Sequence, residues 1–143
     1  MARRGVYKGS LDGSAPIYKV VPVNISQTIL KGSIIVKATG KASVAASAAA
    51  AGTVWGVANY DKTTGTTVTA SDTVFADLNP NSIYSFPYVG TTKTSLTNSD
   101  IGTKFDVTNA YTVNLDDTTD GFLECVGFDN AKKTIDVVLK NHV

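Results

Sequence analysis

Apolar and polar residues alternate one by one along the last third of the chain, and this pattern limits the fold more than any other feature. The alternation covers residues 104–107, 111–115 and 134–140, and in the last stretch Ile135, Val137 and Leu139 are the apolar members. A period of two places every second side chain on the same face of a strand. These stretches are therefore predicted to be antiparallel strands with one wet face, and residues 128–134 are predicted to be a hairpin turn.

The composition favours strands over long helices. Of the twelve acidic residues, eleven are Asp and only Glu124 is Glu, whereas helices normally carry Glu on their exposed faces. Thr, Val and Ile make up roughly a third of the chain, a proportion typical of strands. Short strands with closely spaced turn signals predict a mainly β fold. The expected architecture is a small antiparallel β-barrel or sandwich with an extended N-terminal arm and one or two short helical turns.

Two prolines interrupt segments that otherwise have strand composition. Residues 16–24 contain Pro22 and residues 82–90 contain Pro87, and neither proline has an N–H to donate to a ladder. The first segment is therefore predicted to be an edge strand or an extended segment, and the second an edge or bulged strand. Tyr84, Phe86 and Tyr88 share one face of the second segment by the period of two. Further strands are predicted at residues 33–38 and 53–59.

Six of the seven residues at 45–51 are alanine, the best helix former. A helix of this length is not stable alone, and no 3.6-residue pattern of large apolar residues would dock a longer one. We predict a compact connection of at most one or two helical turns. Its small side chains allow close packing within the subunit or against a neighbouring chain. A single helical turn is predicted at residues 97–102, with Thr97 as N-cap, Asp100 three residues later and Gly102 as the stop.

The first fifteen residues contain three glycines and few apolar anchors. They predict an extended arm, residues 1–15, ahead of a single β-rich domain, residues 16–143, with too little apolar surface to order the arm on its own domain. Arg3, Arg4, Tyr7 and Lys8 are residue types that anchor a segment to a partner. Two interpretations stay open: an idle tail, or an arm that orders on a partner by adding a strand to an exposed edge.

The residue patterns of common active sites are missing from the sequence. The net charge of +1, from 13 basic and 12 acidic residues, gives no reason to expect a nucleic-acid partner. No apolar run approaches the roughly 18 residues needed to cross a membrane. Cys125 is the single cysteine and is predicted to be a buried apolar residue, and the single histidine, His142, is next to last. We expect no enzyme activity, no cofactor and no membrane partner.

The acidic residues cluster in the segment "NLDDTTDGFLE", residues 114–124. Counted from Asp116, an EF-hand would need an acid or amide at the third position and Glu at the twelfth, where this chain has Thr118 and Gly127. The segment is therefore interpreted as a turn whose Asp side chains accept from local N–H groups. No metal is expected.

Two long stretches resemble bacteriophage head proteins that decorate or cement the capsid. Residues 10–62, "SLDGSAPIYKVVPVNISQTILKGSIIVKATGKASVAASAAAAGTVWGVANYDK", resemble the front half of such proteins. The shared features are a flexible opening arm, a turn of the type at "ILKGSIIV", and a small-residue segment ending in "GVA". Residues 99–139, "SDIGTKFDVTNAYTVNLDDTTDGFLECVGFDNAKKTIDVVL", resemble their closing β-segment.

The resemblance implies a structural virion protein, made in the host cytoplasm, that binds the outer capsid surface in many copies and stabilises the shell. Its partners would be the major capsid protein and further copies of itself, as a homotrimer or another homo-oligomer. In that setting the small residues beside Trp55 would let a partner chain come close. Arg3, Arg4, Tyr7 and Lys8 would anchor the arm to the capsid.

An alternative from another functional class is a carbohydrate-binding β-module, displayed on a particle or secreted. The aromatic residues Trp55, Tyr60, Tyr84 and Tyr88 would be its platform, because flat rings stack on the apolar faces of sugars. The same rings also suit a core or a subunit interface, which the lack of a basic stripe favours over stacking on bases.

Overall fold

The computed structural model describes residues 4–140 and contains thirteen β-strands and two short 3-10 turns in that range. Strand makes up 47% of the structure and helical residues 4%. The mainly β class predicted from the alternating pattern is therefore confirmed. The strands are β1 (Val6–Ser10), β2 (Tyr18–Pro22), β3 (Thr28–Ile29), β4 (Ile34–Ala38), β5 (Lys41–Val44), β6 (Val54–Ala58), β7 (Lys62–Thr63), β8 (Thr73–Asp77), β9 (Ser82–Val89), β10 (Lys104–Asn109), β11 (Thr112–Asn114), β12 (Leu123–Asp129) and β13 (Thr134–Leu139).

Five strands from the second half of the chain close into a barrel. The sheet runs β1-β9-β11-β10-β12-β13, and β13 pairs back with β9, so that β9 to β13 form the closed wall. All these pairings are antiparallel except β11 with β9, which is parallel. The barrel alternative of the predicted fold is thus the one adopted, and the predicted hairpin turn joins β12 to β13.

The first half of the chain forms a second, five-stranded antiparallel sheet in the order β2-β8-β6-β4-β5. Its two outer strands approach each other where Val23, just after β2, bridges to Ala42 of β5. The sheet therefore curls around its own small core. That core contains Ile35, Trp55 and Val74 from the concave face.

The convex face of this curled sheet packs against the barrel. Ile34 and Val57 lie directly opposite each other on β4 and β6, and both belong to the large core that also contains Phe86 and Phe105 of the barrel. Alternation along β4 thus sends Ile34 to the shared core and its neighbour Ile35 to the small one. A strand buried on both faces has apolar residues at successive positions, which explains the continuous run "SIIV".

The two prolines have different outcomes. β2 is the edge strand that Pro22 predicted. Its bonds to β8 use Ile17 O and Val23 N, so by alternation Pro22 faces outward, where no donor is needed. The edge assignment at Pro87 is wrong, because β9 has neighbours on both sides. Pro87 is tolerated because it falls in a gap, between the part of β9 paired with β1 and the part paired with β11.

The alanine-rich segment is not a helix. β5 ends before it at Val44, and only a 3-10 turn at Ala51–Thr53 closes it. Ala45 and Ala51 are buried in the shared core, so small side chains serve close packing within the chain. The predicted turn near residue 97 is also present, as a 3-10 turn at Asn98–Asp100 in which Thr97 N donates to the Asp100 carboxylate at 2.8 Å.

The N-terminal arm is extended, as predicted, but it is ordered on its own domain. β1 forms an antiparallel ladder with the first half of β9, and Gly5 N donates to Gly32 O at 3.0 Å. Further along, the Asn79 side-chain amide donates to Ser14 and Ala15. The expectation that too few apolar groups would hold the arm is therefore wrong, because backbone ladder bonds and polar contacts supply what apolar burial does not. Between residues 4 and 140, no helix is long and apolar enough to cross a membrane.

Candidate interaction surface

Part of the convex face of the second sheet extends beyond the barrel and is left uncovered. Tyr18 and Val20 lie on one face of β2, and Phe75 lies directly opposite Val20 on β8. By the same alternation this is the face on which Val57 packs against the barrel. At this end of the sheet the barrel no longer covers it. Tyr18 is 48% exposed, Val20 50% and Phe75 39%.

A fourth apolar residue extends this uncovered surface from a neighbouring loop. Tyr60 follows β6 and packs edge-on against Phe75, with ring centroids 5.5 Å apart. Edge-to-face packing fixes both rings in place at low entropic cost on binding. We call the surface formed by Tyr18, Val20, Tyr60 and Phe75 the overhang. Clustered exposed apolar residues of this kind mark interaction sites more often than scattered ones do.

A groove of about 560 Å³ opens beside the overhang and shares Tyr18 with it. One wall is the start of the arm, and the other comes from the second sheet and its turns. The size falls within the range of pockets that hold ligands or partner side chains. We call this cavity the groove; its lining residues are Arg4, Gly5, Val6, Tyr7, Tyr18, Lys31, Gly32, Ala58, Asn59 and Tyr84.

Two glycines let the walls of the groove meet. Gly32 has a φ of +86°, a conformation that residues with a Cβ rarely adopt. A Cβ at this position would also collide with Gly5 O. A Cβ on Gly5 would in turn meet the ring of Phe86. The predicted Lys31-Gly32 turn therefore has a second role, because it allows the arm to approach the second sheet backbone to backbone.

The side of the groove nearest the barrel is held by a buried carboxylate. Asp77 accepts hydrogen bonds from the Tyr84 hydroxyl at 2.7 Å, from Asn79 N at 2.9 Å and from Ile17 N at 3.1 Å. Burial, with the hydrogen bond to Asp77, raises the pKa of Tyr84. Burial and the nearby Asp77 charge also raise the pKa of Tyr18. Both phenols therefore remain neutral donors at physiological pH.

The rim of the groove carries more positive than negative charge. The Arg4 guanidinium lies 3.8 Å from the Asp61 carboxylate, which also accepts from Lys31 N. The ammonium groups of Lys31 and of Lys19 on the neighbouring edge make no ion pair with any residue between 4 and 140. At the rim of the groove, one exposed carboxylate, that of Asp61, thus lies with two cations, Arg4 and Lys31.

The residues predicted to bind a partner are only partly brought together. Arg4 and Tyr7 line the groove, and the Tyr7 ring packs edge-on against Tyr84 with centroids 5.6 Å apart. Lys8 turns away, toward Asp136 at 3.9 Å, where it lines a smaller cavity of about 270 Å³. Arg3 lies outside the described residues.

Trp55 is not available to a partner in this structure. The side chain is 9% exposed and belongs to the core of the second sheet, and Lys37 Nζ lies 5.7 Å from the ring centroid. Its assignment as a contact residue is wrong, because alternation along β6 turns it to the concave face. Of the four aromatic residues considered for a sugar platform, Trp55, Tyr84 and Tyr88 are buried and Tyr60 is exposed.

Sequence reasoning missed Tyr18, Val20, Phe75 and Lys31. A signal for the first two was present: the run "YKVVP" places apolar residues on both faces of a strand already assigned to an edge. An edge strand with one buried face needs apolar residues on that face only. Apolar residues on its other face therefore indicate that a second surface packs against them. The sequence alone does not show that the barrel stops short of it.

The Asp side chains of the acidic segment near residue 116 accept hydrogen bonds from backbone N–H groups. The turn interpretation predicted local donors, but some of the donors lie far away along the chain. Asp117 accepts from the local Thr119 N, but Asp116 accepts from the backbone N–H groups of residues 91–93, and Asp120 accepts from Ala51 N. The bonds from Lys93 and Thr91 lower the pKa of Asp116 to about 2. No group of three or more His, Cys, Asp or Glu side chains within residues 4–140 is arranged to hold a metal ion.

Two further titratable groups lie in the barrel. Cys125 is buried, as predicted, and burial raises the pKa of its thiol to about 11, so it remains protonated. Asp106 is 1% exposed, and burial raises the pKa of its carboxyl to about 6, with the charges of Asp117 and Asp120 adding to the effect. Neither group opens onto the groove.

Comparisons with protein-family models, with curated proteins and with solved structures gave no match to this chain.

Proposed function

We propose that this chain is a structural virion protein that binds the outer surface of a phage capsid in many copies and stabilises the shell. The observation that carries the proposal is the overhang together with the adjoining groove. A monomeric domain gains nothing from leaving three aromatic rings and an aliphatic side chain in water on one continuous surface. The capsid partner itself is inferred from the resemblance of residues 10–62 and 99–139 to decoration proteins.

Binding would be driven by burial of the overhang. Each Å² of apolar surface removed from water contributes about 25 cal/mol before the costs of association are subtracted. The rings of Tyr60 and Phe75 are already packed on each other, so little side-chain entropy remains to be lost. The surrounding cations would set orientation and increase the rate of encounter.

Many weak contacts would together hold the shell. Each copy would bridge neighbouring subunits of the major capsid protein, and copies associated as a trimer or another homo-oligomer would bind with avidity. A single interface of modest affinity is sufficient in such an arrangement.

The test is decoration of empty capsids by purified protein, measured by co-sedimentation across a titration. The paired variant Val20→Ser with Phe75→Ser should weaken decoration at least about tenfold, because it removes apolar surface from the overhang. Ile101→Ser is the matched control, since Ile101 is 46% exposed but follows the 3-10 turn at Asn98–Asp100, outside the overhang and the groove. Absence of decoration by the unaltered protein, or equal binding by the paired variant and the control, would contradict the proposal.

A further inference from the structure

We infer that the groove and the overhang together bind an extended polypeptide segment in which a carboxylate side chain stands next to apolar or aromatic side chains. This inference rests on the proposed function, because it names the chemistry of the partner that the docking surface selects. The carboxylate would lie in the groove against Lys31 and Arg4. The apolar side chains would lie on Tyr18, Val20 and Phe75.

The charge of the groove selects an acidic group. Arg4 and Lys31 both line it, and Asp61, 66% exposed at its side chain, lies against Arg4. The other nearby carboxylate, Asp77, is buried and accepts its hydrogen bonds from Tyr84, Asn79 and Ile17, so Lys31 is left for an acidic ligand. A carboxylate entering between Arg4 and Lys31 would form charge-assisted hydrogen bonds to a guanidinium and an ammonium. A basic ligand would meet two like charges instead.

Neutral polar groups in the groove also lack partners within the described residues. The hydroxyls of Tyr7 and Tyr18 and the side-chain amide of Asn59 make no hydrogen bond to any residue between 4 and 140. A polypeptide backbone offers both donors and acceptors at regular spacing, and these three groups can satisfy them. Together they give the groove the polar contacts that fix the orientation of a bound chain.

Continuity between the groove and the overhang favours a polypeptide over a small ligand. Tyr18 belongs to both surfaces, so one occupant that covers both needs charged and apolar parts in sequence. Successive side chains of an extended segment alternate in direction, and every second one could reach this surface.

Docking through side chains is favoured over addition of a strand to the edge of β2. Pro22 faces outward on that edge and has no N–H to offer, and the neighbouring Lys19 is exposed and charged. Both features protect sheet edges from pairing with other chains. The open surface of β2 is thus its side-chain face.

The first experiment selects binders to the intact protein from a displayed library of random peptides. The enriched peptides should share an Asp or Glu next to aromatic or aliphatic residues. Their affinity should fall at least about tenfold, or about 1.4 kcal/mol, with Lys31→Glu and should weaken with added salt. Lys31 is exposed and holds Asp61 only through its backbone N–H, so this substitution leaves the fold intact. Lys132→Glu, on the exposed turn before β13, is the matched control and should leave affinity unchanged.

Enrichment of peptides without acidic residues would overturn the inference, as would no enrichment or equal binding by Lys31→Glu and Lys132→Glu. Capsid decoration by the unaltered protein is measured in parallel and separates the two proposals. If capsids are decorated but no acidic peptide is selected, the inference fails and the proposed function stands. If acidic peptides bind in the predicted way but capsids are not decorated, the proposed function fails. The inference that the groove binds acidic peptides then still stands.

Discussion

The Tyr84 hydroxyl donates a 2.7 Å hydrogen bond to the Asp77 carboxylate, and this bond joins strand β9 of the barrel to strand β8 of the second sheet. The Asp77 carboxylate also accepts hydrogen bonds from the backbone N–H groups of Ile17 and Asn79. Ile17, 60 residues away along the chain, is thus joined to the region of Asn79 and Tyr84 at one carboxylate. The same carboxylate holds the hydroxyl of Tyr84, whose side chain lines the groove, so the stability of the domain and the shape of the groove depend on the same contact.

Removing the Tyr84 hydroxyl should destabilise the protein without opening a cavity. Tyr84→Phe leaves one lone-pair site of a buried carboxylate unsatisfied, which costs about 1–2 kcal/mol. Urea unfolding followed by the fluorescence of Trp55, the single tryptophan, measures the change. Tyr111→Phe is the control, because the Tyr111 hydroxyl makes no hydrogen bond within the described residues. Equal unfolding midpoints for the two variants would show that the bond contributes nothing.

Asp106 should make the protein more stable in mild acid than at neutral pH. Its folded pKa of about 6 lies above the ordinary value of 3.8, because burial and the charges of Asp117 and Asp120 disfavour the carboxylate. Between these two values the folded state binds a proton that the unfolded chain has released. The contribution of Asp106 to the free energy of unfolding therefore falls as pH rises through that window.

The variant Asp106→Asn isolates this effect. An amide keeps an oxygen for the 2.7 Å bond from Val107 N but carries no charge. The melting temperature of the variant should exceed that of the unaltered protein by a few degrees at about pH 7.5 and by less at about pH 5. A difference that is constant across this pH range would exclude titration of Asp106 as its source.

Asp116 should act in the opposite direction and in a lower pH window. Its carboxylate accepts from the N–H groups of residues 91–93, and the folded pKa of about 2 lies below the ordinary 3.8. The stability that it contributes is present above the ordinary value and is lost as pH falls through about 2. Asp116→Ala should therefore lower the melting temperature at neutral pH, and this loss should shrink toward pH 2. A loss that persists undiminished in acid would contradict the assignment.

Two buried hydroxyls are expected to cost stability rather than add to it. Ser10 and Ser82 lie opposite each other across β1 and β9, and neither side-chain oxygen has a hydrogen-bond partner among residues 4–140. Ser82→Ala removes an unsatisfied polar group and should leave stability unchanged or raise it by up to roughly 1 kcal/mol. Thr64→Val is the contrasting variant, since the Thr64 hydroxyl donates to Asn24 O at 2.6 Å and accepts from Gln27 N at 2.9 Å. Its stability should fall, and the reverse order would refute the assignment.

Local patterns in the sequence were sufficient to predict most strands, because alternation and turn residues act over neighbouring positions. The edge strand at Pro22, the turn at Thr97 and the hairpin before β13 are examples, and each depends on the chemistry of a few adjacent residues. The parallel pairing of β11 with β9 and the central position of β9 were not predictable in this way. Both depend on which distant strands meet. The residues around Pro87 do not indicate that its position, which has no N–H, lies between the part of β9 paired with β1 and the part paired with β11.

The candidate site was less predictable than the fold, because it consists of residues of the second sheet that the barrel does not cover. Tyr18 and Trp55 both lie on strands, and the sequence gives no means of deciding which one faces the solvent. That outcome depends on how far the barrel extends over the second sheet. Arg4 and Tyr7 were identified by residue type, but their placement beside Lys31 follows from the contact between Gly5 and Gly32.

Deleting residues 2–12 should now be expected to destabilise the domain. The deletion removes β1 and with it the ladder to residues 82–85, the edge-on contact of Tyr7 with Tyr84, and the bond from Leu11 N to Asn81 O. Each lost backbone bond costs about 0.5–1.5 kcal/mol, and Tyr84 loses its cover. The melting temperature should fall by several degrees, and backbone amides of β9 that face β1 should exchange faster with solvent.

A single substitution separates the ladder from the side chain. Tyr7→Ser keeps the backbone bonds of β1 but removes the ring that lines the groove, so it should lower the melting temperature much less than the deletion does. It should still weaken binding of acidic peptides, because Tyr7 is part of the groove. If the deletion leaves both the melting temperature and amide exchange in β9 unchanged, β1 is not part of the folded domain in solution. The arm would then be free to order on a partner, and the groove would lose one of its walls.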